Sequence, residues 1–256
     1  MLQLFKRFIK FSLNYLRRVL LFFKNNTLPK PENLEVKINN FVDQKKTDSP
    51  YLLYQNEQII ECYNHFKDYF KTSVFLNWIT IREYAIKNAV INDQVLDKSY
   101  LEFGVYKGDS VNFFSTFVKK IYGFDSFQGL NEDWVANADH PKGTFSLVQQ
   151  PQVNKNVELV IGKIQNTLSL FISKKKPEIN FIHIDTDTYE TATYILKETK
   201  PYLVNNSIII FDNLYNYMGW REGEYKALVE NFEHNEYKFL AFAKDSAQAV
   251  IKIFKK

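Results

Sequence analysis

From Ser99 onward the chain alternates short apolar runs with amphipathic ones. SYLEFGV (99–105), KIYGFDS (120–126), VELVIGK (157–163), NFIHIDTD (180–187) and SIIIFDN (207–213) are each too short for a helix, and each stops at a glycine or at acidic residues. They read as five strands. Between and after them, VNFFSTFVKK, YETATYILKETKPYL and a stretch from about 222 to 233 space their apolar residues three and four apart, as one buried helical face requires. Strands alternating with helices predict a mostly parallel sheet with right-handed crossovers. YKFLAFAK and QAVIKIFKK close the chain with only a short turn between them, so these two strands pair antiparallel as a hairpin. The expected fold is α/β, with a seven-stranded sheet ending in that hairpin.

Upstream the pattern differs. Residues from about 56 to 92 read as helical, through IIECYNHFKDYF and NWITIREYAIKNAV. Before them NNTLPKPENLEVKINNF, polar with two prolines, reads as a linker. In the first 26 residues Lys6, Arg7, Lys10, Arg17, Arg18 and Lys24 fall on one side of a helical wheel. Phe5, Phe8, Ile9, Leu16, Val19, Leu20 and Phe23 fall on the other, and no residue of the stretch is acidic. Such a helix lies on an anionic membrane surface through residues 1–24, packs on its own domain or a second subunit, or serves as a targeting peptide. The expected organisation is a basic amphipathic helix (1–28), a linker and helical region (29–92), and an α/β domain (93–256).

Composition narrows this little. The chain has 256 residues, rich in Phe and Tyr, with a net charge of +4. That charge is too small to argue for nucleic acid. Cys62 is the only cysteine, which excludes an intrachain disulfide and a cysteine-based metal site and suits a reducing compartment. No apolar run reaches the roughly 20 residues that span a bilayer. The expectation is a cytoplasmic protein, held at the inner face of the membrane if the first helix binds lipid. Self-association is left open.

Ligands of open parallel sheets bind beyond the carboxyl ends of the strands, so those ends carry the chemistry. The first strand ends in LEFGVYKGDS. Gly104 and Gly108 let backbone approach a ligand closely, Ser110 stands where a helix begins, and the Glu102 carboxylate suits an ammonium rather than a pyrophosphate. Asp125, about 20 residues past the first glycine, is placed to accept from ribose hydroxyls. Nucleotide-binding domains for NAD share that acidic residue, but their glycine spacing is G-x-G-x-x-G, not the Gly104-x-x-x-Gly108 found here. S-adenosylmethionine is the favoured cofactor. Two glycines that merely make a tight turn, an NAD-linked oxidoreductase, and a non-catalytic scaffold all stay open.

The fourth strand ends His183-Ile184-Asp185-Thr186-Asp187 and the fifth Phe211-Asp212-Asn213. Asp185, Asp212 and Asn213 offer three oxygen ligands to a hard cation such as Mg²⁺. A bound cation acidifies a hydroxyl, and Asp187 is then placed to take its proton. The alternative is that Asp185 and Asp187 only cap the next helix. Trp134, Tyr215, Tyr217 and Trp220 fall on loops after the second and fifth strands. They form either an aromatic platform for a sugar or a lid packed on itself. Tyr189, opening the helix after the metal strand, faces cofactor or acceptor.

The stretches YLEFGVYKGDS, YGFDSFQGLNEDW, KGTFS, LVIGKIQNTL, HIDTDTYETATYIL and IIIFDNLYNYMGWREGEYKAL, in order over roughly residues 99–228, resemble the macrocin O-methyltransferase family. Its members are Rossmann-like class I methyltransferases that modify sugar hydroxyls of natural products. The resemblance implies that Glu102, Gly104, Ser110, Asp125 and Ser126 hold S-adenosylmethionine, with Gly162 and Lys163 beside the adenine and Asp185 at the junction with the metal. It implies magnesium on Asp185, Asp212 and Asn213, and Asp187 as general base. Many members carry an acidic residue where this chain has Asn213. The amide oxygen still ligates, with an expected loss of affinity.

Overall fold

The computed structural model describes residues 49–134 and 140–255, so the basic N-terminal stretch and most of the linker lie outside the described residues. The chain divides into two units, Met1–Gln55 and Asn56–Lys256, and the sheet, core and site described below lie in the second. After helix α1 (Pro50–Phe70) come strand β1 (Val74–Leu76) and helix α2 (Thr80–Asn92). The chain continues as β2 (Ser99–Phe103), α3 (Asp109–Ser115), β3 (Ile121–Asp125), β4 (Val157–Ile161), α4 (Ile164–Lys175), β5 (Ile179–Ile184), α5 (Tyr189–Thr199) and β6 (Leu203–Phe211). It ends with α6 (Glu224–Asn231), β7 (Tyr237–Ala243) and β8 (Ala249–Ile253). No helix among the described residues is long and apolar enough to cross a membrane.

The strands form one eight-stranded sheet in the order β1-β7-β8-β6-β5-β2-β3-β4. It is parallel except where β8 pairs antiparallel with β6 and β7. The eighth strand corrects the expected seven. Val74–Leu76 pairs parallel with Ala241–Ala243 at the sheet edge, inside a region the sequence pattern reads as helical. Three residues carry no periodicity, and the bonds that make them a strand come from a partner 167 residues away.

Period-two alternation sorts the core onto two faces. Leu101, Phe103, Ile182, Ile184, Ile209 and Phe211 pack with Phe66 of α1 and with residues of α4, α5 and α6. Tyr100, Phe181, Ile208 and Ile210 pack on the other face with Ile81, Ala85 and Ile86 of α2 and Val111 and Phe114 of α3. With both faces covered, every residue of β5 is buried, which is why INFIHI reads as nearly continuous apolar sequence. The strand order reverses between β2 and β5: β3 and β4 follow on one side, β6 on the other. The carboxyl ends of β2 and β5 therefore flank the switch point, where such sheets leave a crevice.

Candidate active site

Gly104 and Asp185 meet at that crevice. Asp185 N–H donates to the Phe103 carbonyl and Gly104 N–H to that of Phe124, so β2 sits between its neighbours up to its last residue. Gly104 then turns at φ +88°, and a Cβ placed there would come within 1.8 Å of the Asp185 carbonyl oxygen. Only glycine admits both the backbone angle and the contact. The loop that follows is strapped to β3 by Asp125. Its Oδ2 accepts from the N–H groups of Val105 (2.9 Å) and Tyr106 (2.8 Å), and its Oδ1 accepts from Phe127 N–H (2.7 Å).

A cavity of about 350 Å³ opens above this junction, within the usual size range of small-molecule sites. Gly104, Tyr106, Asp125, Ser126, Lys163 and Ile164 line one end, and Asp185, Asp187, Asp212 and Asn213 line the other. Gly162, at φ +139°, donates its N–H to the Asp125 carbonyl and brings Lys163 to the rim. Three expected cofactor residues, Glu102, Ser110 and Gly162, do not themselves line the cavity. Glu102 is fully buried: Oε1 accepts from Ser110 Oγ at 2.7 Å, and Oε2 lies 3.5 Å from His183 Nδ1. The side-chain alternation of β2 turns Glu102 toward Ser110 of α3, off the cavity lining.

At the acidic end, ligand atoms of His183, Asp185 and Asp212 lie within 4.8 Å of one another. His183 stands directly across from Glu102 in register, and its Nε2 is 3.5 Å from Asp212 Oδ1. Burial opposes charge on this imidazole, but the Asp212 and Glu102 carboxylates on either side outweigh it and raise its pKa to about 10. His183 thus stands as a charge partner between the Glu102 and Asp212 carboxylates. Burial also acts on Asp212, but His183, Arg82 and Gln248 together hold its carboxyl below the usual range. Asp185 is pushed well up, first by burial and then by the Asp212 charge. Asp187, with a left-handed backbone at φ +60°, is pushed up to about 6 by burial and by Asp212.

The donor set fits a hard divalent cation. No hydrogen-bond donor among the described residues holds the Asp185 carboxylate, which faces the cavity. Asn213 Nδ2 donates to Asp187 Oδ1 at 2.8 Å, which fixes the amide so that its oxygen is the free atom. Burial and the repulsion among Asp185, Asp187 and Asp212 that raise the first two are what a cation relieves. Glu224, which the motifs did not single out, joins this end from α6. It is fully buried and accepts Asn213 N–H at 2.9 Å through Oε2, and burial drives its carboxyl well up.

The aromatic residues separate. Trp134 lines the main cavity and an adjoining one of about 280 Å³, which Asp187, Thr188, Tyr189, Gly219, Gly223 and Lys226 also line. The Tyr189 hydroxyl donates to Glu230, and Lys226 lies over its ring. Tyr217 is half-buried, with its ring centroid 6.2 Å from that of Trp134. Tyr215 and Trp220 are corrections: both are core residues. Tyr215 packs on Phe66 and Phe242 and donates to the Ala243 carbonyl, while Trp220 is wholly buried against Phe66 and Tyr225. Their loop positions concealed this because the covering surface, α1, lies some 150 residues earlier. Arg82 and Gln248 were also missed, since each looks like an ordinary helix or turn residue until the fold brings it to Asp212.

Comparison with known proteins agrees with this geometry. No curated protein matches the chain. Among solved structures, the calicheamicin methyltransferase CalS11 shares 19% identity, with 88% of this chain and 94% of that chain covered at a TM-score of 0.57. The O-methyltransferase NovP shares 14% identity over 69% of this chain and 78% of that one, at a TM-score of 0.51. Residues 101–214, from the middle of β2 to just past Asn213, match the family model described as a methyltransferase domain. The chain thus has a Rossmann-like α/β fold, in which residues 101–214 are similar to a methyltransferase domain.

Proposed function

We propose that this protein is an S-adenosylmethionine- and Mg²⁺-dependent O-methyltransferase of the macrocin O-methyltransferase type, acting on a hydroxyl of a sugar or natural-product acceptor. One observation carries the reading: a single cavity joins the Gly104–Asp125 loop to the Asp185, Asp187 and Asp212 carboxylates and the Asn213 amide. The aromatic wall at Trp134 and the likeness in fold to a calicheamicin methyltransferase support the acceptor class. An NAD-linked reading draws no support, since three carboxylates would repel a pyrophosphate.

S-adenosylmethionine supplies an electrophilic sulfonium methyl, and a divalent cation supplies the charge that acidifies the acceptor hydroxyl. Gly104 and the loop strapped by Asp125 would hold the donor, together with Lys163 and Ile164, which line the same cavity. Asp185, Asp212 and the Asn213 amide oxygen would hold the cation. Asp187 offers its second oxygen to the acceptor, Oδ1 being occupied by Asn213, and takes the hydroxyl proton. Trp134 and Tyr189 orient the acceptor, and most of the acceleration comes from alignment and charge. The test is methyl transfer to a panel of sugars and glycosylated natural products. Transfer lost on chelation and restored by Mg²⁺ is the expected result. Full activity in chelator would overturn the metal role, and failure to bind S-adenosylhomocysteine would overturn the donor.

A further inference from the structure

The Asp212 carboxylate is held by two hydrogen-bond donors that converge on one of its two oxygens, with the His183 ring nearby. Arg82 Nη2 of α2 donates to Oδ1 at 2.8 Å and Gln248 Nε2 donates to the same atom at 2.5 Å. His183 Nε2 lies 3.5 Å from it. No donor among the described residues is given to Oδ2, and Asp212 lines the cavity. From this geometry we infer that Arg82 and Gln248 are positioning residues: a two-sided clamp that fixes the Asp212 carboxylate by Oδ1 and leaves Oδ2 for the cation. The inference rests on the metal reading above.

Both arms of the clamp are themselves fixed. Gln248 is buried beside the first residue of β8, and its Oε1 accepts from Ser246 Oγ at 3.3 Å, which leaves the amide nitrogen to face Asp212. The guanidinium of Arg82 lies 5.7 Å from the Trp78 ring centroid. The segments that carry the two arms are tied together: Trp78 N–H donates to Asp245 Oδ1 at 2.8 Å, and Lys244 N–H donates to the Leu76 carbonyl at 2.8 Å. Arg82 and Gln248 both lie outside the span 101–214 that matches the methyltransferase domain. Helix α2 and the antiparallel hairpin thus have a task at the site, since α2 carries Arg82 and the β7–β8 turn carries Gln248. Groups that orient a ligating carboxylate commonly change metal affinity by about 10–100-fold when removed.

Arg82 has two opposing effects on a bound cation, orientation of Asp212 and electrostatic repulsion, so the neutral arm gives the cleaner test. Gln248→Met keeps the length without the amide, and Arg82→Lys keeps the charge without the planar fork. Mn²⁺ affinity is read from the free-ion electron paramagnetic resonance signal on the full chain, and S-adenosylhomocysteine affinity by calorimetry on the same samples. The expected result is a roughly tenfold or greater rise in the Mn²⁺ dissociation constant in both variants, with S-adenosylhomocysteine binding within twofold of the parent. Parent-like Mn²⁺ binding in both variants would overturn the clamp and leave the metal reading standing. Joint loss of both ligands would overturn it in favour of a role in the fold alone. A parent that binds no Mn²⁺ would overturn the metal reading and the clamp with it.

Discussion

Replacing Asp187 by Asn removes a base while leaving its surroundings in place. Position 187 has φ +60°, which Asn tolerates nearly as well as Asp. The side-chain oxygen of Asn can still accept the 2.8 Å bond from Asn213 Nδ2, so the metal-side amide keeps its orientation. What changes is the second oxygen, which becomes an NH₂ that donates instead of accepting. Loss of a positioned base typically lowers the rate by about 10²–10⁴-fold, equivalent to about 3–5 kcal/mol of activation free energy. The parent adds a pH signature. A base that titrates at about 6 is inactive when protonated, so kcat rises with unit slope at lower pH and is flat above. A bound cation stabilises the carboxylate and moves that limb below pH 6. Steady-state transfer with a radiolabelled methyl donor, from pH 5 to 9, is expected to show the variant down by at least a hundredfold with the acidic limb gone. S-adenosylhomocysteine binding should be unchanged. A variant retaining a third of parental kcat with the same limb would refute the assignment of Asp187.

Other consequences follow from the same geometry. Gly104→Ala forces a methyl onto the Asp185 carbonyl in a left-handed backbone, a conformation that alone costs about 1–2 kcal/mol. Calorimetry is expected to find no S-adenosylhomocysteine binding, and near-parental affinity would contradict the close approach. Trp220→Ala removes a wholly buried ring and should destabilise the fold by about 3–5 kcal/mol in urea unfolding. Trp134→Ala should instead leave stability nearly unchanged and raise the acceptor KM; the reverse pattern would restore Trp220 to the acceptor wall. His183 titrates at 6.5 when unfolded and at about 10 in the fold, so its contribution is complete below pH 6.5 and is lost as pH rises through 10. In chelator, the melting temperature should fall between pH 7 and 10 more steeply than in His183→Gln; equal slopes would show that the imidazole is not charged.

The parallel sheet and the closing hairpin were legible in the sequence alone. Strand-length apolar runs ending in glycine or acid have few folded solutions. The pairing of Asp185 with Asp212 was legible because parallel neighbours end at one edge, whatever the details of packing. Three things were decided only by tertiary structure. The register of β2 against β5 set Glu102 across from His183 and away from the cavity, because one residue of strand parity reverses the face. The distant helix α1 took Tyr215 and Trp220 into the core, and loop aromatics carry no local sign of what will cover them. The convergence of Arg82 and Gln248 on one oxygen depends on residues 166 positions apart. Side-chain hydrogen bonds at that separation have no periodicity to read, since they form only once the sheet has fixed where its edges lie.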